Sequence, residues 1–471
     1  MPEQRSDDAS NTLQAVVRRI RHLLPSFGSG RTVPALPQEL VDHIIDCLRK
    51  DKETLRNCSL VRRAWLSSSS FHLFSRLCWP PCDHAADICQ TFFGEQKLRS
   101  CRCALVTDPK NLQELLLFLQ SSPRICSSIR DLSIRFAWGE AELPFALRHR
   151  VLTTPSELAH LVGILPALRC LRLYEPRFHP DASPFPDSTL STTRDLDRLV
   201  LSGIKEEGRH EHFSSFLSYF RRIHTLELAD FRYCPLVCAP VCNANGQMTS
   251  VDSLQLHPRS LDGIRGLEQL RQIIDLTSLS SLSLLYDWRI VPESGICALL
   301  QNTDNLESIT CNNHSKEVII RHPHPCPTVH RLRFYGSSMF DGRTVTYHDW
   351  PGVVQIMGCP LAASVNHYTI DFTILHISQD FRVPDDNEAE AESKAALEFL
   401  DWSILDTFTP RLTSLSLNMT VEFAHGRSRT GREWSCSVEE LILGLVSRPV
   451  RDILTLRVQV LNTFLEGHGA S

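Results

Sequence analysis

From Ile129 onward the hydrophobic positions repeat one short phrase, apolar-x-x-Leu-x-apolar. The copies begin at Ile129, Leu168, Leu196, Ile223, Val251, Leu279, Leu306, Val329, Val365 and Leu412, with Ile309, Tyr368 and a few other side chains standing in for leucine. Starts between Leu168 and Leu306 lie 27 or 28 residues apart. The alternation within each phrase has the period of a strand, and the intervals between phrases have the period of a helix. Helices are expected over Asn111–Ile125, His212–Ile223, Ser260–Ile274, Gly295–Leu306 and Lys394–Phe408. Strand and helix alternating at a fixed period predict an α/β fold: a parallel sheet on the concave face and helices outside. One unit of this kind cannot bury its apolar face alone, but stacked units can.

A different pattern precedes the repeats. Leu40, Ile44, Ile45 and Leu48 have helical spacing after Pro37, which suits a first helical turn. Leu55 and Cys58 mark a second short helix, and Leu60, Val61, Ala64, Trp65 and Leu66 a third, ended by Ser67–Ser70. Phe71, Leu73 and Phe74 trail as an apolar tail. Residues 35–77 therefore form a three-helix unit too small to be stable without a partner or a covering domain. Ahead of it, residues 1–34 hold Leu13, Val16, Val17, Ile20 and Leu24 on one helical face beside Arg18, Arg19 and Arg21. A Gly- and Pro-punctuated linker follows at Pro25–Pro34. That basic amphipathic segment has two readings, a membrane-surface or transit helix and a helix packed on its own protein; Glu3, Asp7 and Asp8 weigh against transit.

Leu36-Pro37-x-Glu39, Ile44, Leu48, Leu55, Cys58-x-x-Val61-x-x-x-Trp65 and Phe74 resemble an F-box of the kind abundant in mushroom-forming fungi. The resemblance implies docking on the Skp adaptor of a Skp–cullin–F-box ubiquitin ligase through Leu36, Pro37, Leu40, Ile44, Leu48, Val61 and Trp65, the last mainly a packing residue. The alternative is a cap on the following domain. The repeat period is that of leucine-rich repeats. Those repeats usually carry an asparagine ladder just beyond the strand, where Pro176, Ile204, Phe231, Arg259 and Asp287 stand here. An irregular solenoid over residues 78–471 is therefore expected. Pro176–Pro186 and the acidic stretch 385–393 are expected to be loops.

Composition narrows the function classes. Lys and Arg number 49 against 54 Asp and Glu, a formal charge of −5, which does not suit a nucleic-acid binder. No run of about 18 apolar residues is present, so no membrane partner is expected. No signal core opens the chain, and its 17 cysteines are scattered. Reduced thiols in the cytoplasm, the nucleus or both are the expectation. The groups Cys78/Cys82/His84/Cys89, Cys234/Cys238/Cys242 and His322/His324/Cys326 lack paired C-x-x-C spacing, so no metal or other cofactor is expected. Phosphate-loop, nucleophile-elbow and H-E-x-x-H motifs are absent. Asn57-Cys-Ser59 and Asn418-Met-Thr420 match the glycosylation pattern, which has no meaning in a chain that is not secreted.

These observations point to a non-catalytic ubiquitin-ligase adaptor that joins Skp, and through it cullin, to a protein target. A solenoid scaffold outside any ligase is the alternative, and an enzyme with a site assembled in space is a third. Target contacts are expected from the residues between the inward apolar positions. Arg198, Glu227, Gln255 and His257 are among them. Arg331, Arg333 and Tyr335 are the strongest group, two guanidiniums beside an aromatic suited to an acidic or phosphorylated segment.

Overall fold

The alternating phrase builds strands, and the strands build one sheet. The structure, a computed structural model, describes residues 37–49, 51–79, 112–138, 149–150, 152–178, 194–203, 211–229, 248–257, 270–271, 273–285, 299–300, 303–312, 315–321, 326–340, 345–376, 394–395, 397–398, 400–423 and 431–462. The predicted amphipathic segment before Pro34, Leu36 and the acidic stretch 385–393 lie outside the described residues. The chain divides into two units between Leu73 and Phe74. The division lies earlier than the boundary expected after Leu77, because Leu77 and Trp79 are strand residues of the second unit.

In the first unit, α1 (Gln38–Cys47), α2 (Lys52–Val61) and α3 (Arg63–Phe74) follow one another. Asp51 caps α2 by accepting from the Thr54 N–H at 3.0 Å. Val41, Ile45, Leu55, Cys58 and Leu73 are buried. Two polar links tie α1 to α3: Ser68 Oγ donates to Asp42, and His72 Nε2 lies 2.7 Å from Asp46 Oδ1. Two expectations are corrected here. Leu60 and Val61 close α2 rather than open the third helix, because Arg62 turns extended (φ −152, ψ 150) between the two. Ser67–Ser70 do not end α3; they lie inside it, where Ser69 is fully buried and Ser68 is bonded to α1.

In the second unit, fourteen strands form one open sheet. The path runs β1 (Arg76–Trp79), β2 (Asp131–Arg135), β5 (Cys170–Tyr174), β6 (Arg194–Ser202), β7 (Phe220–Ala229), β8 (Thr249–Leu256), β10 (Ser281–Leu284), β11 (Ser308–Asn312), β12 (Arg331–Phe340), β14 (His367–His376), β15 (Ser414–Phe423) and β16 (Leu454–Asn462). Neighbours on this path are parallel. The short β9 (Ile274–Asp275) adds to β8 in parallel, and only β13 (Val345–His348) is antiparallel, to β12. A separate hairpin joins β3 (Ala137–Trp138) to β4 (His149–Arg150). All ten phrases fall in a common register. Leu132, Leu171, Leu199, Leu226, Leu254, Leu282, Ile309, Leu332, Tyr368 and Leu415 form one continuous buried row.

The three-residue step inside each phrase has a backbone cause. At successive repeats, two consecutive amides donate to one carbonyl of the preceding repeat. Arg169 and Cys170 N–H reach Arg130 O at 2.8 and 2.9 Å, and Asp197 and Arg198 reach Arg169 O at 2.9 and 3.0 Å. The same pairing recurs from Glu307 and Ser308 to Ser280 O, from His330 and Arg331 to Glu307 O, and from Asn366 and His367 to His330 O. Sharing one acceptor inserts an extra residue, as in a bulge, so positions three apart both face the core. Side-chain donors at or just before the strand starts do the work an asparagine ladder does elsewhere. Thr249 Oγ1 donates to Leu217 O (2.7 Å) and Phe220 O (2.8 Å), Ser364 Oγ to Cys326 O (2.7 Å) and Val329 O (2.8 Å), and Asn305 to Thr277 O (2.7 Å). The Thr249 and Ser364 hydroxyls serve carbonyls in buried or partly buried surroundings, whereas the Asn305 bond is exposed.

The described helices of this unit are α4 (Leu112–Ser121), α5 (Pro123–Cys126), α6 (Pro155–Ile164), α7 (Glu211–Leu217), α8 (Lys316–Ile320), α9 (Trp350–Gly358), α10 (Gly431–Leu445) and α11 (Arg448–Ile453). A capping box of Thr154 and Glu157 starts α6. The helix expected over His212–Ile223 stops at Leu217 because Phe220 already opens β7. Within Lys394–Phe408, Trp402–Thr407 forms a 3-10 turn, with the Trp402 indole donating to Leu397 O at 2.8 Å. The expected helices at Ser260–Ile274 and Gly295–Leu306 lie largely outside the described residues, and Ile274 itself is a strand residue of β9.

Candidate interaction surfaces

Two surfaces carry the residues singled out from sequence. On the first unit, apolar side chains stand in solvent. Leu60 is 84% exposed, Val61 59% and Leu40 52%, and Pro37 is exposed with them. Ile44 and Leu48 are half-buried. Trp65, expected mainly as a packing residue, is half-buried as well. Its position one helical turn after the break at Arg62 keeps it at the surface of α3. Leu60 is the one residue of this patch that sequence reasoning missed. It was assigned to the third helix; it lies instead in the last turn of α2, next to Val61 and the extended Arg62.

The second surface is the polar face of the sheet. Side chains between the buried rows align strand by strand, and all seven expected target-contacting residues sit on this face or at its rim. Arg198, Thr225, Ser253, Ser281, Ser308 and Arg331 form one row. Arg172, Val200, Glu227, Gln255, Ser283, Thr310 and Arg333 form the next. His257 follows the end of β8, and Tyr335 is level with Asn312 and Asp371. The face is not open everywhere: Val200 and Glu227 are buried despite pointing this way.

Two ion-paired clusters organise it. Glu227, 1% exposed, meets Arg198 Nη2 and lies 3.0 Å from His257 Nε2. Burial pushes the Glu227 pKa up, but the His257 and Arg198 contacts outweigh it and hold the carboxyl below its ordinary range. Farther along, Arg333 binds Asp371 bidentately, Nε to Oδ2 at 2.5 Å and Nη2 to Oδ1 at 3.1 Å. Asn418 adds a bond to Asp371 Oδ1 at 2.9 Å, and the Arg333 guanidinium stacks 4.8 Å from the Tyr335 ring centre. The expected trio of Arg331, Arg333 and Tyr335 is therefore brought together but not equivalent. The planar fork of Arg333 is already taken by Asp371, whereas Arg331 is exposed and has no carboxylate partner among the described residues.

Sequence reasoning named Glu227 as a face residue but not as the partner of Arg198, and it did not name Asp371. The strand register, not local spacing, pairs each with an arginine 29 or 38 positions away. Among the described residues, no group of three His, Cys, Asp or Glu is placed to hold a metal ion, and no helix is long and apolar enough to cross a membrane. Of the three Cys/His groups weighed from sequence, only Cys78 and Cys326 are among the described residues. No protein-family model and no curated protein sequence matches the chain.

Proposed function

We propose that this protein is a substrate-recognition adaptor of a Skp–cullin–F-box ubiquitin ligase, with no catalysis of its own. The three N-terminal helices are an F-box that docks on the Skp adaptor. The second unit is a leucine-rich-repeat-like solenoid that presents a target on the polar, concave face of its sheet. Ubiquitin transfer belongs to the other ligase subunits; the adaptor contributes by holding a target near the charged carrier, which raises its effective concentration.

The observation that carries this reading is that Leu40, Leu60 and Val61, large apolar side chains on a unit of three short helices, are all exposed. Apolar side chains left in solvent by so small a unit offer surface that a partner can cover. The sequence pattern from Pro37 to Phe74 adds the resemblance described above.

Co-expression with the Skp adaptor tests it. The full chain is expected to co-purify with Skp, and Leu60→Glu to abolish co-purification while leaving the thermal transition in place, because an 84% exposed side chain contributes little to the fold. Unchanged co-purification of Leu60→Glu removes this patch as the docking surface. No co-purification of the wild-type chain favours a scaffold acting outside any ligase.

A further inference from the structure

The two central rows of the polar face share one layout. Arginines stand at the ends, and mostly small uncharged side chains lie between. In the first row Thr225, Ser253, Ser281 and Ser308 separate Arg198 from Arg331. In the second, Gln255, Ser283 and Thr310 lead up to Arg333, and Arg172 stands at the far end. Between β5 and β12 these rows hold four arginines and one carboxylate, a net charge of 4 − 1 = +3, in a chain whose total is −5. Arg198 and Arg333 are engaged by Glu227 and Asp371. Arg172 and Arg331 have no carboxylate partner among the described residues.

The strand order sets the spacing of the two available guanidiniums. Arg172 on β5 and Arg331 on β12 are six strands apart along the path, which at about 4.8 Å per strand is roughly 29 Å along the sheet. An extended polypeptide advancing about 3.3 Å per residue covers that span in about nine residues, and fewer if the sheet curves. The floor beneath it is hydroxyl-lined and partly exposed, so a backbone can approach closely and find hydrogen-bonding partners.

We propose that this face binds an extended polypeptide segment carrying acidic groups at two positions about nine residues apart, one met by Arg331 and the other by Arg172. The inference rests on the reading of the sheet as the target-binding surface and names the chemistry of the target. Arginine suits the task because its planar fork binds carboxylate or phosphate through two parallel bonds. Glu227 and Asp371 neutralise Arg198 and Arg333, which leaves Arg172 and Arg331 as the uncompensated charges of these rows.

The test is fluorescence anisotropy on the full chain with labelled synthetic peptides. One carries phosphoserine at both ends of an eight-residue Gly/Ser/Ala spacer, one carries glutamate at both ends, one is acidic at a single end and one is neutral. A single-stranded RNA of similar length is run beside them. The doubly acidic peptides are expected to bind at least about tenfold more tightly than the singly acidic one. Arg331→Glu and Arg172→Glu are each expected to remove that gain, with Arg124→Glu as a charge control elsewhere on the second unit. Arg331→Ala and Arg172→Ala repeat the test if a reversal disturbs folding. Comparison of the two doubly acidic peptides separates phosphate from carboxylate recognition. Equal binding of all four peptides, or a gain that survives both substitutions, overturns the proposal. RNA binding tighter than any peptide overturns it in favour of a nucleic-acid surface. Skp co-purification of the same preparations is read independently, so loss of the adaptor with peptide selectivity intact counts against the ligase reading alone.

Discussion

Replacing Arg198 by methionine removes one side of the cluster around Glu227 and leaves a carboxylate that is 1% exposed beside His257 alone. Breaking a fully buried ion pair from one side costs about 3–5 kcal/mol, because the remaining charge stays desolvated. Arg198 is itself 42% exposed, and the His257 contact at 3.0 Å survives, so the expected cost is lower, about 2–3 kcal/mol. Replacing both partners, Arg198→Met with Glu227→Leu, removes the stranded charge and is expected to recover most of the loss. Repeat sheets open locally, so one global unfolding curve averages the effect away. Amide hydrogen exchange at Leu226 and Leu228 reads it directly, with urea unfolding as a second measure. A single variant as protected as the wild type, or a double variant worse than the single, would show that Arg198 does not compensate a buried charge.

The same cluster sets a pH dependence. The Glu227 pKa is held below its ordinary value in the folded chain. The pair therefore contributes fully above the unfolded carboxylate pKa, and its contribution is lost as pH falls through the lowered folded value. Exchange at Leu226 and Leu228 is expected to accelerate in acid, and Glu227→Gln to flatten that acid limb while lowering protection at neutral pH.

Two further substitutions probe the packing. Gly336→Ala places a methyl 2.7 Å from Phe334 Cε1 and 2.9 Å from Phe372 Cδ2, both on buried rings; a lower thermal transition is expected, at about 1–3 kcal/mol, and an unchanged transition would mean that the rings yield freely. Trp65→Ala in the first unit is expected to cost about 1–2 kcal/mol, less than a fully buried Trp, because the side chain is only half-buried; a proteolytic rate through α1–α3 that rises as steeply as for Leu55→Ala would place Trp65 in the core after all.

The repeat was legible because each phrase must face one core, with starts 27 or 28 residues apart between Leu168 and Leu306, and all ten starting points lead into strands in register. The two end strands were less visible. Phe74-Ser-Arg-Leu77-Cys-Trp79 fits the phrase but was absorbed into the helical block before it, and at β16 the first position of the phrase is Arg451, not an apolar residue. Helix lengths were legible only in part, since at Phe220 aromatic side chains serve helix and strand patterns equally well. The face pairs Arg198–Glu227 and Arg333–Asp371 were not legible, because register between strands decides them and neither partner marks the other in sequence. The exposed state of Leu60 hung on a single backbone break at Arg62, which no local propensity signals.

The shared-carbonyl ladder also bears on how such a face can vary. Adjacent repeats are joined by amide pairs on one carbonyl and by Thr249, Asn305 and Ser364 ahead of their strands, while the inward rows supply burial. None of these roles falls on the side chains of Ser253, Gln255, Ser281, Ser308, Thr310 or Arg331; Ser308 and Arg331 join the ladder through their backbone amides alone. A change at those positions alters what the sheet can bind without removing a bond between repeats. At Glu227 the two roles meet: its charge is both buried in the fold and part of the face. Substitutions there are expected to lower stability and alter recognition together, whereas Arg331 can change its partner at little structural cost.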